Sequence, residues 1–209
     1  MPSTLTLQEQ ALVPIAAYTA SGDITLLEGS LNQGLDAGLT LSEVKEVLVQ
    51  MYAYAGFPRS LNGLAVLMSV VEQRKQSGIV DEEGKDVAPL REPNSSLEIG
   101  TSNQTQLVGQ PVKGALFDFA PAIDQYLKAH LFGDIFSRNT LTWKQRELAT
   151  IAALANMQGV NSQLQAHYNI SLNNGLSVIQ LREFIELLRQ YCGELTAKNA
   201  ADVLNAVLS

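Results

Sequence analysis

The sequence predicts an all-α protein in which one helical repeat is written twice and the copies are joined by a long irregular connector. Three observations carry this reading. Residues 5–17, LTLQEQALVPIAA, align with residues 141–153, LTWKQRELATIAA, and AGLTLSEVKEVLVQMYAYAG (37–56) aligns with NGLSVIQLREFIELLRQYCG (174–193). The copies also share punctuation. Thr6-x-x-Glu9, Thr40-x-x-Glu43, Thr142-x-x-Gln145 and Ser177-x-x-Gln180 have the form of capping boxes, which satisfy two free donors at a helix start. Gly38 and Gly175 stand where a helix stop needs a left-handed residue. Finally, apolar residues recur at helical spacing, and no useful length alternates with the period of two that a half-buried strand requires.

The first repeat is placed at residues 1–76. Its first helix, opened by Thr6, carries Leu12, Ile15 and Ala16; a later one, opened by Thr40, carries Val44, Val47, Leu48 and Met51. Another starts at Pro58, since proline is tolerated in a first turn, and continues through Leu64, Leu67, Met68 and Val71. Residues 77–116 read as the connector. Gly78, Gly84, Pro89, Pro93, Gly100, Gly109, Pro111 and Gly114 interrupt it, and an extended segment wrapping the surface is expected. The second repeat, 117–209, opens at about Asp118 with a helix carrying Phe119, Ile123, Tyr126, Leu127 and His130, followed by the helices of Thr142 and Ser177. The repeats are expected to pack about a pseudo-twofold axis.

Composition narrows the function. At 209 residues and 46% hydrophobic content, the chain can bury one substantial core or two small ones. A net charge of −7 with scattered basic residues argues against a nucleic-acid groove. With one cysteine, no intrachain disulfide, CxxC redox pair or thiolate cage can form, and two histidines do not make a histidine-rich metal site. No metal and no cofactor are expected. The start, MPSTLTLQEQ, lacks a basic region followed by an apolar stretch, and no run approaches the length of a membrane span. A cytoplasmic protein without membrane partners is the expectation.

The copies differ at polar positions. Repeat two has Arg146 and Glu147 where repeat one has Gln10 and Ala11, and it has His167 where repeat one offers Ser30 or Leu31. Repeat one keeps the Tyr54-Ala55-Gly56-Phe57-Pro58 turn, which repeat two lacks. One composite site using parts of both halves would explain this division. The helix from Thr142 turns over near Gly159 and the chain returns through His167. At ~1.5 Å rise per residue, Glu147 and His167 then differ in height by about one turn, which their side chains can span. A carboxylate beside an imidazole raises its basicity and fixes its tautomer, making a proton-transfer group. The alternative is a surface Glu147 and a His167 packed beside Leu164.

RELATIAALANMQGVNSQLQAH (146–167), followed by NGLSVIQLREFIELLRQYCG, resembles the core of the carboxymuconolactone decarboxylase family, part of the AhpD-like superfamily, and EVLVQMYAYAGFPRSLNGL (46–64) resembles its other signature. The resemblance covers both repeats and not the connector. The superfamily's thiol branch places a CxxC at the start of the helix that ends in the histidine. Here that stretch reads Gly159-Val160-Asn161-Ser162-Gln163, and Cys192 lies in a different helix. This is a tandem-repeat member lacking the CxxC pair, so disulfide-based peroxide reduction has no chemistry to run on.

The decarboxylase branch needs no thiol, and Glu147 and His167 match its recurring acid and histidine. The resemblance therefore implies cofactor-free decarboxylation or related lactone chemistry on a small carboxylated substrate, with His167 and Glu147 as the catalytic candidates. Arg146 or Arg59 would hold a carboxylate, with Tyr54, Phe57 and His130 as further substrate-binding candidates. His130 instead borders the helix before Gly133 if it is structural. The alternative function is a non-catalytic oligomeric helical binding protein. Self-association as a dimer or trimer is expected, because Phe184, Ile185, Leu187 and Leu188 cover more than one stripe of their helix. The resemblance adds that single-repeat relatives form trimers or hexamers.

Overall fold

The computed structural model describes residues 4–86 and 93–209, with only the backbone at 93–95. The described residues are all-α. The first repeat holds α1 (Leu7–Ser21), α2 (Ile24–Asp36), α3 (Leu41–Gln50) running into the short α4 (Tyr52–Ala55), and α5 (Phe57–Gln76). Between the repeats lie α6 (Pro93–Val108), α7 (Ala115–Phe119), α8 (Pro121–Tyr126) and a π-helix (Leu127–Ile135). The second repeat holds α9 (Trp143–Ala155), α10 (Asn161–Asn173), α11 (Val178–Cys192) and α12 (Glu194–Leu208).

The matched sequence signals produce matched structure. All four capping boxes form, with side chain and backbone bonded reciprocally at Thr6, Thr40, Thr142 and Ser177. Gly38 and Gly175 both take the left-handed conformation, at φ 92° and 94°. Burial repeats as well: Ser60, Gly63 and Leu67 of α5 are buried, as are Ala197, Ala200 and Leu204 at the matching positions of α12.

The two repeats close on one core rather than two. α1 packs against α9, and both are enclosed on every side, from Leu12 to Ala20 and from Arg146 to Ala155. A helix buried all round has no polar face to give to solvent, so these two form the centre and the remaining helices cover them. A smaller second core joins Leu107 of α6 to Leu131, Phe132, Ile135 and Phe136, and to Ile170 of α10, with Tyr52 and Tyr54 packed against it.

Three expectations are corrected. The connector is not irregular throughout, because residues 93–108 form α6. That helix crosses the π-helix so closely that a methyl group at Gly100 would overlap the Lys128 carbonyl, and one at Gly133 would overlap the Ser96 carbonyl. Asn173 and Asn174 then cap its end by donating to the Val108 and Leu107 carbonyls at 2.9 and 3.1 Å. Pro89, and residues 87–92 generally, lie outside the described residues. The helix expected from Asp118 is instead α7 and α8, broken at Ala120 before Pro121, followed by the π-helix. Lastly, Phe184, Ile185 and Leu188 are buried within the chain itself. Most of the apolar surface of α11 is thus used internally, with Leu187 half-buried against the same core and Val178 and Ile179 left exposed.

Candidate functional site

Arg146 and Glu147 are consecutive on α9, so their side chains leave the helix about 100° apart. They reach opposite neighbours, and both are wholly buried.

Arg146 faces repeat one. Its Nη2 donates to Glu46 at 2.7 Å and to the Arg138 carbonyl at 3.0 Å, and its Nη1 donates to Gln50 Oε1 at 2.9 Å. Gln50, one turn beyond Glu46 on α3, donates in return to the Arg146 carbonyl and to the Thr150 hydroxyl, both at 3.0 Å. Arg138 grips the same carboxylate from the other side, with Nε 2.8 Å from Glu46 Oε1. Burial alone would raise the Glu46 carboxyl, but the hydrogen bonds from Arg138 and Arg146 outweigh it and hold the group below its ordinary value. Burial pulls the Arg146 guanidinium below its ordinary value despite Glu46. The expected role of Arg146 as a substrate contact is therefore corrected: its charge is enclosed and answered by Glu46.

Glu147 faces α10. Its Oε2 lies 2.7 Å from His167 Nδ1. A carboxylate only accepts, so Nδ1 carries the proton of this bond, and the second ring nitrogen, Nε2, is left for other chemistry. Nε2 has no hydrogen-bond partner among the described residues, and the His167 side chain keeps 11% of its surface open where Glu147 keeps none. Tyr54 of repeat one closes the other side, its ring edge-on to His167 with centroids 5.7 Å apart. Burial, reinforced by the charge of Glu147, pushes the Tyr54 phenol well above its ordinary range, so it stays a neutral hydroxyl. Both that hydroxyl and Glu147 Oε1 are buried without a hydrogen-bond partner.

Side chains of both repeats meet at this point. Glu147 and His167 come from repeat two, and Tyr54 comes from repeat one. The matching positions in the other copy carry no such pair: Ser30 donates to the Leu26 carbonyl within its own helix. The ionic contact does have a counterpart, weaker in charge, where Gln10 donates to Glu183 at 3.1 Å.

The remaining candidates fall elsewhere. Phe57 is exposed and stacks on Tyr52 at 4.4 Å. His130 lies in the π-helix, beside Tyr52 at 5.5 Å, with Nδ1 bonded to Asp134 at 2.8 Å. Arg59 is exposed near the Gly22 turn. None of the three is in contact with the Glu147–His167 pair. The residues that sequence reasoning missed are Glu46, Gln50, Thr150 and Arg138. The one usable signal was Glu46 itself, because the alignment sets it opposite Glu183, an acid at the same position of both repeats.

Cys192 is half-buried, and burial pushes its thiol up, with a smaller opposing effect from Asn156. A protonated, partly covered thiol is a poor nucleophile. Treatment with iodoacetamide at neutral pH is expected to leave any turnover unchanged; loss of turnover in a still-folded, alkylated protein would place Cys192 in the chemistry.

No group of three or more His, Cys, Asp or Glu placed to hold a metal occurs among the described residues, and no helix among them is long and apolar enough to cross a membrane. A groove of about 410 Å³ beside α6, lined by residues such as Asn103 and Trp143, includes neither member of the pair. Comparison with known proteins matches residues 1–68 and 121–206 to the carboxymuconolactone decarboxylase family. The 4-carboxymuconolactone decarboxylase of Acinetobacter baylyi (strain ATCC 33305 / BD413 / ADP1) is 34% identical over 86 residues, covering 41% of this chain and 63% of that protein. The chain thus spans less than two thirds of the length of this curated relative.

Proposed function

Because the chain belongs to the carboxymuconolactone decarboxylase family, we propose that it is a cofactor-free decarboxylase of a small carboxylated lactone or β-keto acid, with His167 transferring the proton and Glu147 positioning His167. The observation that carries this reading is the 2.7 Å bond between His167 Nδ1 and the wholly buried Glu147, which leaves Nε2 unpartnered on the more open side.

In this reading the C–C bond to the substrate carboxylate breaks, CO2 leaves, and the electron pair moves onto the conjugated carbonyl. The imidazolium of His167 stabilises the developing oxyanion and then delivers the Nε2 proton to carbon. The bare Nε2 takes its replacement from water, so each turnover consumes one proton and releases one CO2. Glu147 keeps the ring in one tautomer and offsets the imidazolium charge. Tyr54 limits the space beside the ring. Cytoplasmic location and self-association belong to the same proposal.

The test is a screen of small carboxylated lactones and β-keto acids, following CO2 release by wild type and by Glu147→Gln. Release by wild type, with kcat reduced about tenfold to a hundredfold in the variant, supports the proposal. No release from either compound class, with apolar ligands binding instead, would make the chain a helical binding protein.

A further inference from the structure

The duplication provides an internal control for the surface. α5 and α12 are equivalent helices, buried at matching positions, so their outward faces should be equally polar if both met only water. They are not. At the positions where α12 carries Glu194, Lys198 and Asn205, α5 carries Phe57, Leu61 and Met68, and these three are 63%, 59% and 75% exposed. α12 exposes Leu195, at 86%, but does not continue it into a stripe; an uncovered apolar stripe that one copy has and the other lacks is the mark of a contact.

The second asymmetric feature is the arm formed by α7 and α8. Leu116, Phe119 and Tyr126 along it are 67%, 89% and 65% exposed. Among the described residues the arm packs chiefly on the π-helix at its root. Helices of five and six residues do not hold themselves in water and need a surface to lie against. Each chain thus has one uncovered apolar face and one uncovered apolar arm, neither of which covers the other.

We propose that the α7–α8 arm of one molecule lies on the Phe57–Met68 face of α5 in a second copy of this chain, and that the exchange is reciprocal. This deepens the self-association proposed above and does not depend on the decarboxylase reading. Two observations favour a second copy over a foreign partner. The exposed parts of these side chains amount to on the order of 800 Å² per molecule, which is what each side of a standard specific interface buries. Charge also fits: with arm and helix antiparallel, Lys113 at the start of the arm meets Glu72 near the end of the stripe. Phe57 stacks on Tyr52, two residues from Tyr54, so the contact would also reach the neighbourhood of His167.

The experiment is light scattering and sedimentation of the full chain at micromolar concentration, comparing wild type with Met68→Glu and Phe119→Lys. Both substitutions are at exposed positions, and circular dichroism and the thermal midpoint report whether each variant is folded. Wild type is expected to be larger than 22.6 kDa, and each variant should dissociate at least tenfold more readily. Mixing the two variants should restore assembly, because one contact is then unaltered and the other pairs Glu with Lys. A monomeric wild type, assembly indifferent to both substitutions, or no recovery on mixing would overturn the proposal. Turnover is measured separately, so an inactive protein that assembles as described refutes the decarboxylase reading alone.

Discussion

Replacing His167 by Asn is expected to abolish the proposed decarboxylation and to leave the protein folded. The Asn amide nitrogen falls close to the position of imidazole Nδ1 and can donate to Glu147, so the buried carboxylate keeps a partner. What disappears is Nε2, the atom that has no other task in the structure. Positioned general acid–base catalysis is worth ~10²–10⁴ in rate, and kcat should fall by at least the lower figure. Loss of stability should stay near ~1 kcal/mol, the net value of one exchanged hydrogen bond. The control is His130→Asn, since His130 is half-exposed and bonded to Asp134; it should turn over like wild type. If His167→Asn retained kcat within a few-fold of wild type, His167 would be a structural residue.

Glu46→Ala is expected to be the most destabilising single substitution in the molecule. It strips the partner from Arg146, which is wholly enclosed, and from Arg138, which is nearly so. Breaking a buried pair from one side costs ~3–5 kcal/mol, because an uncompensated charge is left in the interior. Urea denaturation should show the midpoint falling at constant m-value. Adding Arg146→Met to this background should recover much of the loss, since an apolar side chain removes the stranded charge.

The same site sets an acid dependence. The folded Glu46 carboxyl lies below its ordinary value, so its contribution is complete above the unfolded value of ~4.3 and is lost as pH falls through the folded one. Glu46→Gln should lack that part of the acid-induced loss. A stability change under ~1 kcal/mol for Glu46→Ala would mean that Arg146 finds another partner or water, and the network would not be what holds α9 in register.

The parts of this protein that were legible in its sequence are those whose causes span few residues. A capping box is complete within four positions, so all four helix starts could be read directly. Their recurrence revealed the duplication before any contact was known. Glu147 and His167 are twenty residues apart in one helical hairpin, and a fixed rise per residue is enough to bring them level. α6 could not be read in this way. Its Ser96, Gly100, Ser102 and Asn103 favour turns locally. The helix rests instead on close approach at Gly100 to a segment some thirty residues later and on caps from Asn173 and Asn174.

The α11 surface misled for a related reason. Periodicity counts apolar residues but does not say how many neighbours stand ready to cover them, and α1 and α12 of the same chain both pack against that helix. The pairing of Arg146 with Glu46 lies further still from local cause, a hundred residues apart along the chain. Two like-looking charged side chains on two helices become one enclosed ion pair only when the repeats close on a shared core. Helix, cap and repeat are thus consequences of neighbouring residues, which the sequence states in full. Which charge is buried, which glycine admits a second backbone and which tyrosine reaches the histidine depend on how surfaces meet, and only tertiary packing decides that.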